Sequence, residues 1–130
     1  MSPWNGLDRR KFPRVKYPCM IVVRGEDNKE MSFLTHTENL GAGGVCVILK
    51  KQVKLFAPVE VEIDLMDMQD HVRCSGKVVW SVRRKDETAD KPMFYDMGIE
   101  FEGLTEQDQG RIAKLVKQIA QQRGRVIPYS

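Results

Sequence analysis

Val59-Glu60-Val61-Glu62-Ile63-Asp64-Leu65 alternates apolar and acidic residues over seven positions without a break. Successive side chains of an extended strand point to opposite faces, so this segment is stable with one face in a core and the other in water. A helix would scatter the same residues around its circumference and bury carboxylates. Five further segments carry related patterns. Cys19–Arg24 is apolar and β-branched after Pro18, and Ser32–Glu38 runs into Asn39 and a glycine-rich turn. Val45–Leu49 is a short apolar run of the kind buried on one or both faces. Val72–Val82 holds Val72, Cys74, Val78 and Trp80 in step, a parity that assigns Trp80 to the core. Tyr95, Met97, Ile99 and Phe101 alternate with Asp96, Gly98 and Glu100. Six strands joined by short turns imply a mainly β fold, a closed or nearly closed antiparallel barrel.

One helix follows. Thr105-Glu106-Gln107-Asp108 reads as a capping box, and Ile112, Leu115, Val116, Ile119 and Ala120 recur at helical spacing up to Gly124. Its apolar stripe packs on the barrel, covering one mouth or side. Gly110 inside it costs about 1 kcal/mol relative to alanine. The organisation expected is an N-terminal arm at 1–15 that is mobile, a barrel plus helix at 16–124, and a tail at 125–130. The turn Arg83–Lys91 is highly polar and reads as a long, solvated hairpin tip.

The net charge of +3 is unevenly spread. Residues 1–24 carry six Lys/Arg against Asp8, whereas residues 25–104 carry ten against fifteen Asp/Glu. A basic start on an acidic body suits a discrete anionic ligand, and disfavours a surface that coats nucleic acid. The positive start is concentrated in Arg9-Arg10-Lys11-Phe12-Pro13-Arg14. Guanidinium forks match phosphate oxygens and the O6/N7 edge of guanine, and their faces stack on bases. Twenty-five residues after Arg14 begins Asn39-Leu40-Gly41-Ala42-Gly43-Gly44. There the glycines let backbone approach a ligand closely, and the asparagine amide can cap the turn or meet a guanine edge. Together the two stretches describe a pocket for something anionic, planar and guanine-like.

Arg10-xxx-Arg14 followed by Asn39-x-Gly41-x-x-Gly44 resembles the signature of the PilZ family, RxxxR and [DN]xSxxG. The resemblance extends through the later strands into the helix, over about residues 8–120. It implies a six-stranded (split) β-barrel of PilZ type with a C-terminal α-helix, and a bacterial receptor for the second messenger cyclic di-GMP. Carried onto this chain, the ligand-binding residues are Arg9, Arg10, Arg14, Asn39, Gly41, Ala42, Gly43 and Gly44. In proteins resembling this one, an arginine at the position of Arg9 can support a stacked pair of ligands. Gly41 stands where the family has serine, which removes a hydroxyl from the site. The function implied is a receptor or adaptor that changes conformation on binding and signals to a protein partner. The alternative is a PilZ-like interaction module that has lost nucleotide binding.

No catalytic residue is expected. His36 and His71 are isolated, the three cysteines lie far apart without a CxxC, and no nucleophile elbow or phosphate-binding P-loop occurs. The reading is therefore not an enzyme, with no metal and no cofactor beyond the ligand. The cysteines read as small buried hydrophobes in a reducing compartment. No apolar run approaches the ~20 residues needed to span a bilayer, and Met1–Lys11 lacks a signal core. A cytoplasmic protein is expected, monomeric or weakly dimeric, without membrane insertion and without nucleic acid as a partner.

Overall fold

The computed structural model describes residues 14–26, 31–84 and 94–123. They form β1 (Arg14–Val15), β2 (Met20–Gly25), β3 (Ser32–Gly41), β4 (Gly44–Leu49), β5 (Pro58–Asp64), β6 (Val72–Arg83), β7 (Tyr95–Phe101) and α1 (Glu106–Arg123). The sheet order is β1-β3-β2-β5-β6-β7-β4, all antiparallel, and a further β3–β4 pairing closes β2 to β7 into a six-stranded barrel. β3 is long enough to serve three neighbours. Ser32 to His36 pair with β2, while Leu40 and Gly41 lie between β4 on one edge and β1 on the other.

The alternation seen in the sequence is what fills the barrel. Ile21 and Val23, Val45 and Val47, Val59, Val61 and Ile63, and Met97 and Ile99 are all buried in one cluster. Each such side chain contributes about 1.5–3 kcal/mol on leaving water. The helix begins at Thr105, whose Oγ1 accepts the Asp108 backbone N–H at 3.1 Å. It lays Ile112, Val116 and Ile119 against β1 and β3, which places it beside the seam of the barrel. Thr37 is the buried polar side chain of the described core. Its hydroxyl accepts from Cys19 N–H at 3.1 Å and donates to the Tyr17 carbonyl, so the link from β1 to β2 is stapled to β3.

Four details depart from the sequence reading. Arg14 and Val15, assigned to the arm, pair with Gly41 and Leu40, and Val15 is fully buried. β3 continues through Asn39 to Gly41. Arg84, assigned to a solvated tip, donates its backbone N–H to the Phe94 carbonyl at 2.8 Å and so extends the β6–β7 hairpin. Trp80 does not join the core. The β6–β7 ladder shifts between Val78 and Trp80, pairing Val78 with Ile99 but Trp80 with Gly98. The extra residue, Val79, reverses the parity of everything after it. Val78 points inward with Ile99, and Trp80 lies on the outer face with Gly98.

No helix among the described residues is long and apolar enough to cross a membrane.

Candidate functional site

The second register shift of the barrel lies between Thr37 and Asn39, in the β3–β4 ladder. Thr37 faces the core opposite Val47, Glu38 is the extra residue, and Asn39 emerges on the outer face opposite Cys46. The two bulges therefore act on one patch. Across the outside of four strands runs a row of Asn39, Cys46, Gly98 and Trp80. The middle of that row is small and its ends are polar and aromatic. A Cβ at residue 98 would collide with the indole of Trp80, so glycine is what allows the ring to pack against β7 at this position.

β1 brings the arginine. Arg14 is the ladder partner of Gly41, and its Nη1 lies 3.4 Å from Asn39 Oδ1. Two residues remote in sequence thus meet at the end of the outer row. Ala42 and Gly43 form the tight turn between the paired Gly41 and Gly44, and the Gly43 carbonyl accepts from Phe101 N–H at 3.0 Å. Ala42 belongs to the buried core, so only its backbone can serve a ligand. Gly44 has a packing reason of its own: a Cβ there would meet the Ile99 carbonyl oxygen. Arg9 and Arg10 lie outside the described residues. Of the eight expected site residues, Arg14, Asn39, Gly41, Ala42, Gly43 and Gly44 come together at one end of the β3–β4 hairpin.

Beside Asn39 stands an ionic group that the sequence did not reveal. Arg84 donates through Nε to Asp96 Oδ1 at 2.9 Å and through Nη2 to Glu38 Oε2 at 3.0 Å. Cys46 Sγ donates to the other oxygen of Glu38 at 3.5 Å. Burial, then the neighbouring Asp96, raise the Glu38 carboxyl above its ordinary value, while Cys46 and Arg84 act the other way. The Cys46 thiol is pushed well above the usual range by burial and then by the Glu38 charge; Arg14 works against that shift. Cys46 is buried as expected, but on the outer wall rather than in the barrel interior. The sequence carried no signal for this group, because it depends on the two bulges, which single residues do not announce.

Among the described residues, no three His, Cys, Asp or Glu side chains converge on a metal position. Open clefts of about 260 Å³ by Glu60 and Arg73, and of about 600 Å³ by His71 and Arg111, lie away from this row. The arrangement around Arg14 is instead a shallow shelf, cationic at one end, with an aromatic face and an amide along it.

The sequence model of the PilZ domain family matches residues 8–118, a span that includes both motifs and all seven strands. The chain belongs to the PilZ domain family. Solved PilZ-fold structures superpose on it at low identity. The PilZ domain of YcgR from Escherichia coli, described with c-di-GMP, is 12% identical, with 87% of this chain and 92% of that one covered and a TM-score of 0.65. The Bacillus subtilis inhibitor of motility MotI/DgrA is 16% identical over 88% of this chain and 52% of its own, with a TM-score of 0.71. The K. pneumonia MrkH–c-di-GMP complex is 18% identical over 90% and 55%, with a TM-score of 0.67. This chain spans about half the length of the latter two. At such identities the likeness establishes the fold. No curated protein sequence matches the chain.

Proposed function

We propose that this PilZ domain is a cytoplasmic receptor for cyclic di-GMP that rearranges on binding and signals to a protein partner. The observation that carries this reading is the pairing of Arg14 with Gly41 beside Asn39, which joins the two halves of the family signature in one place. Arg14 and Arg10 would divide a phosphate and a guanine O6/N7 edge between them, each good bidentate contact adding about 1–3 kcal/mol of discrimination. Adenine presents an amino group where guanine presents O6, so these donors select against it. The outward Trp80 ring adds a stacking face, an interaction worth about 1–3 kcal/mol per base. The arm carries Arg9, Arg10 and Lys11 close to Arg14, and a dianion would offset their mutual repulsion and draw the arm over the shelf.

Calorimetric titration with cyclic di-GMP, cyclic di-AMP, GTP and a single-stranded oligonucleotide tests the reading. Binding is expected for cyclic di-GMP alone, at two equivalents where Arg9 supports a stacked pair and at one in Arg9→Ala. Unchanged affinity in both Arg10→Ala and Arg14→Ala would overturn it. The second reading, a module that has lost the nucleotide, is favoured by one observation: Gly41 in the place of the family serine. No heat from wild type, with heat regained in Gly41→Ser, would support that reading instead.

A further inference from the structure

The wall opposite the shelf has a character of its own. β2 and β5 lie across the barrel from β7 and β4. Ile21 and Val23 point inward, so Met20, Val22 and Arg24 face out. Met20 is 41% exposed, and Leu34, the ladder partner of Val22, is 65% exposed. Beyond this apolar strip stand Glu60, Glu62 and Asp64 of β5, the ladder partners of Arg24, Val22 and Met20. The chain leaves Asp64 into a loop whose Met66 and Met68 are 54% and 100% exposed. Both hold positive φ, 57° and 65°. Left-handed backbone is strained for an L-residue with a long side chain, and such strain concentrates at functional surfaces. An Asx bond from Met66 N–H to Asp64 Oδ1 at 2.8 Å holds the first of them. Neither methionine is needed by the core.

The charge beside this strip is one-sided. Glu60, Glu62, Asp64, Asp67 and Asp70 stand against Arg24, Arg73 and Arg111, each already committed to Glu62 or Asp67, and against the His71 ring, which lies 2.8 Å from Glu62 and 3.7 Å from Asp64. Glu60 and the Asp70 carboxylate have no ion-pair partner among the described residues.

We propose that the face formed by Met20, Leu34, Met66 and Met68, bordered by Glu60, Asp64 and Asp70, docks a basic amphipathic helix of a partner protein. Unbranched thioethers repack around the apolar ridge of a helix whose sequence they do not fix. The carboxylates meet Lys or Arg flanking that ridge, which sets orientation and disfavours acidic helices. The surface shares β3 with Arg14 but lies at that strand's other end, Leu34 being seven positions before Gly41, the partner of Arg14, and the proposal does not depend on the nucleotide reading.

The probe is a synthetic Leu/Lys amphipathic peptide of about 18 residues, roughly five helical turns, titrated into the full chain by two-dimensional NMR. A peptide with the same leucine face and Glu for Lys is the control. Shifts are expected in residues 20–24, 32–36, 60–64 and 65–71 with the Lys peptide alone, and added salt should weaken them. Leu34→Lys and Met20→Lys should each raise Kd about tenfold or more without lowering Tm. Met66→Gly with Met68→Gly should relieve the backbone, keeping or raising Tm, yet weaken binding. Shifts mapping to other strands, equal binding of the Glu peptide, or intact affinity in all these variants would overturn the proposal. So would self-association that occupies this face, seen as a dimer by sedimentation that Leu34→Lys abolishes. Binding to anionic vesicles with no peptide response would overturn it equally.

Discussion

The two walls of this barrel were built by different rules. Along β2, β5 and the N-terminal half of β3 the ladders run in unbroken register, and every outward residue is the one that alternation assigns. Along β4 and β7 both flanking ladders slip by one residue, at Glu38 and at Val79. Each slip turns a side chain that strict alternation would send inward onto the outside, and the two chosen side chains, Asn39 and Trp80, end in one row. The comparison teaches that bulges let a β-barrel this small gather chosen side chains on the outside of one wall without changing its core.

Substitutions at matched positions sharpen that contrast. Arg14→Ala should take cyclic di-GMP binding beyond detection, because truncating one partner of a charge-assisted contact costs about 2–5 kcal/mol. Arg24→Ala, on the regular wall, should leave affinity unchanged; equal losses by calorimetry would erase the distinction. Next in size is Gly98→Ala. Its Cβ has nowhere to go but into Trp80, and overpacking of this kind costs about 1–3 kcal/mol. Urea denaturation should show that loss, and only a small change for Gly103→Ala, where the nearest atom to a new Cβ is Ser75 N at 3.6 Å.

Gly41→Ser should tighten cyclic di-GMP binding by about 0.5–1.5 kcal/mol, the net worth of one hydrogen bond. A large drop in Tm instead would mean that the β1–β3 contact itself requires glycine. Gly110→Ala calibrates the series. Nothing lies within 4 Å of a Cβ there, so the helix should gain about 1 kcal/mol in chemical denaturation while ligand affinity stays fixed. The smallest effect expected is a pH dependence. Glu38 has its carboxyl raised by burial and Asp96. Falling pH therefore removes a negative charge beside the shelf sooner than an ordinary glutamate would, and dianion binding should tighten modestly. Glu38→Gln should flatten that profile.

The strands and the helix were legible because alternation and capping are local. Tyr95–Phe101 and the Thr105 cap stand where the sequence puts them. Arg14 and Asn39 were legible through their motif, and the ladder supplies the reason they meet. What escaped was parity after an insertion. Nothing in Val78-Val79-Trp80 tells which residue will be left unpaired, since that depends on how β7 must curve to close the ring. Arg84 escaped for a related reason: its carboxylate partners, Glu38 and Asp96, belong to two other strands, and a run of charges reads alike whether solvated or clamped.

Closure of β2 through β7 has a consequence for how this chain can meet other proteins. Every strand of the ring has a neighbour on each side, and β1 covers the part of the β3 edge that β2 leaves. Unpaired edges are what recruit a strand from another chain, in regulated complexes and in amyloid alike. On the β5 side of β6, pairing stops at Lys77 and Val78, and the remaining stretch is bent by the bulge at Val79 and ends in Arg83 and Arg84. Twist and charge are the ordinary guards of such an edge. Among the described residues, the closed ring thus offers little open edge for association through backbone ladders, which favours contacts made by side chains. The seam between β3 and β4 is the point to watch. Opening it would create two fresh edges at once, so lesions there should show first as aggregation rather than as weakened binding.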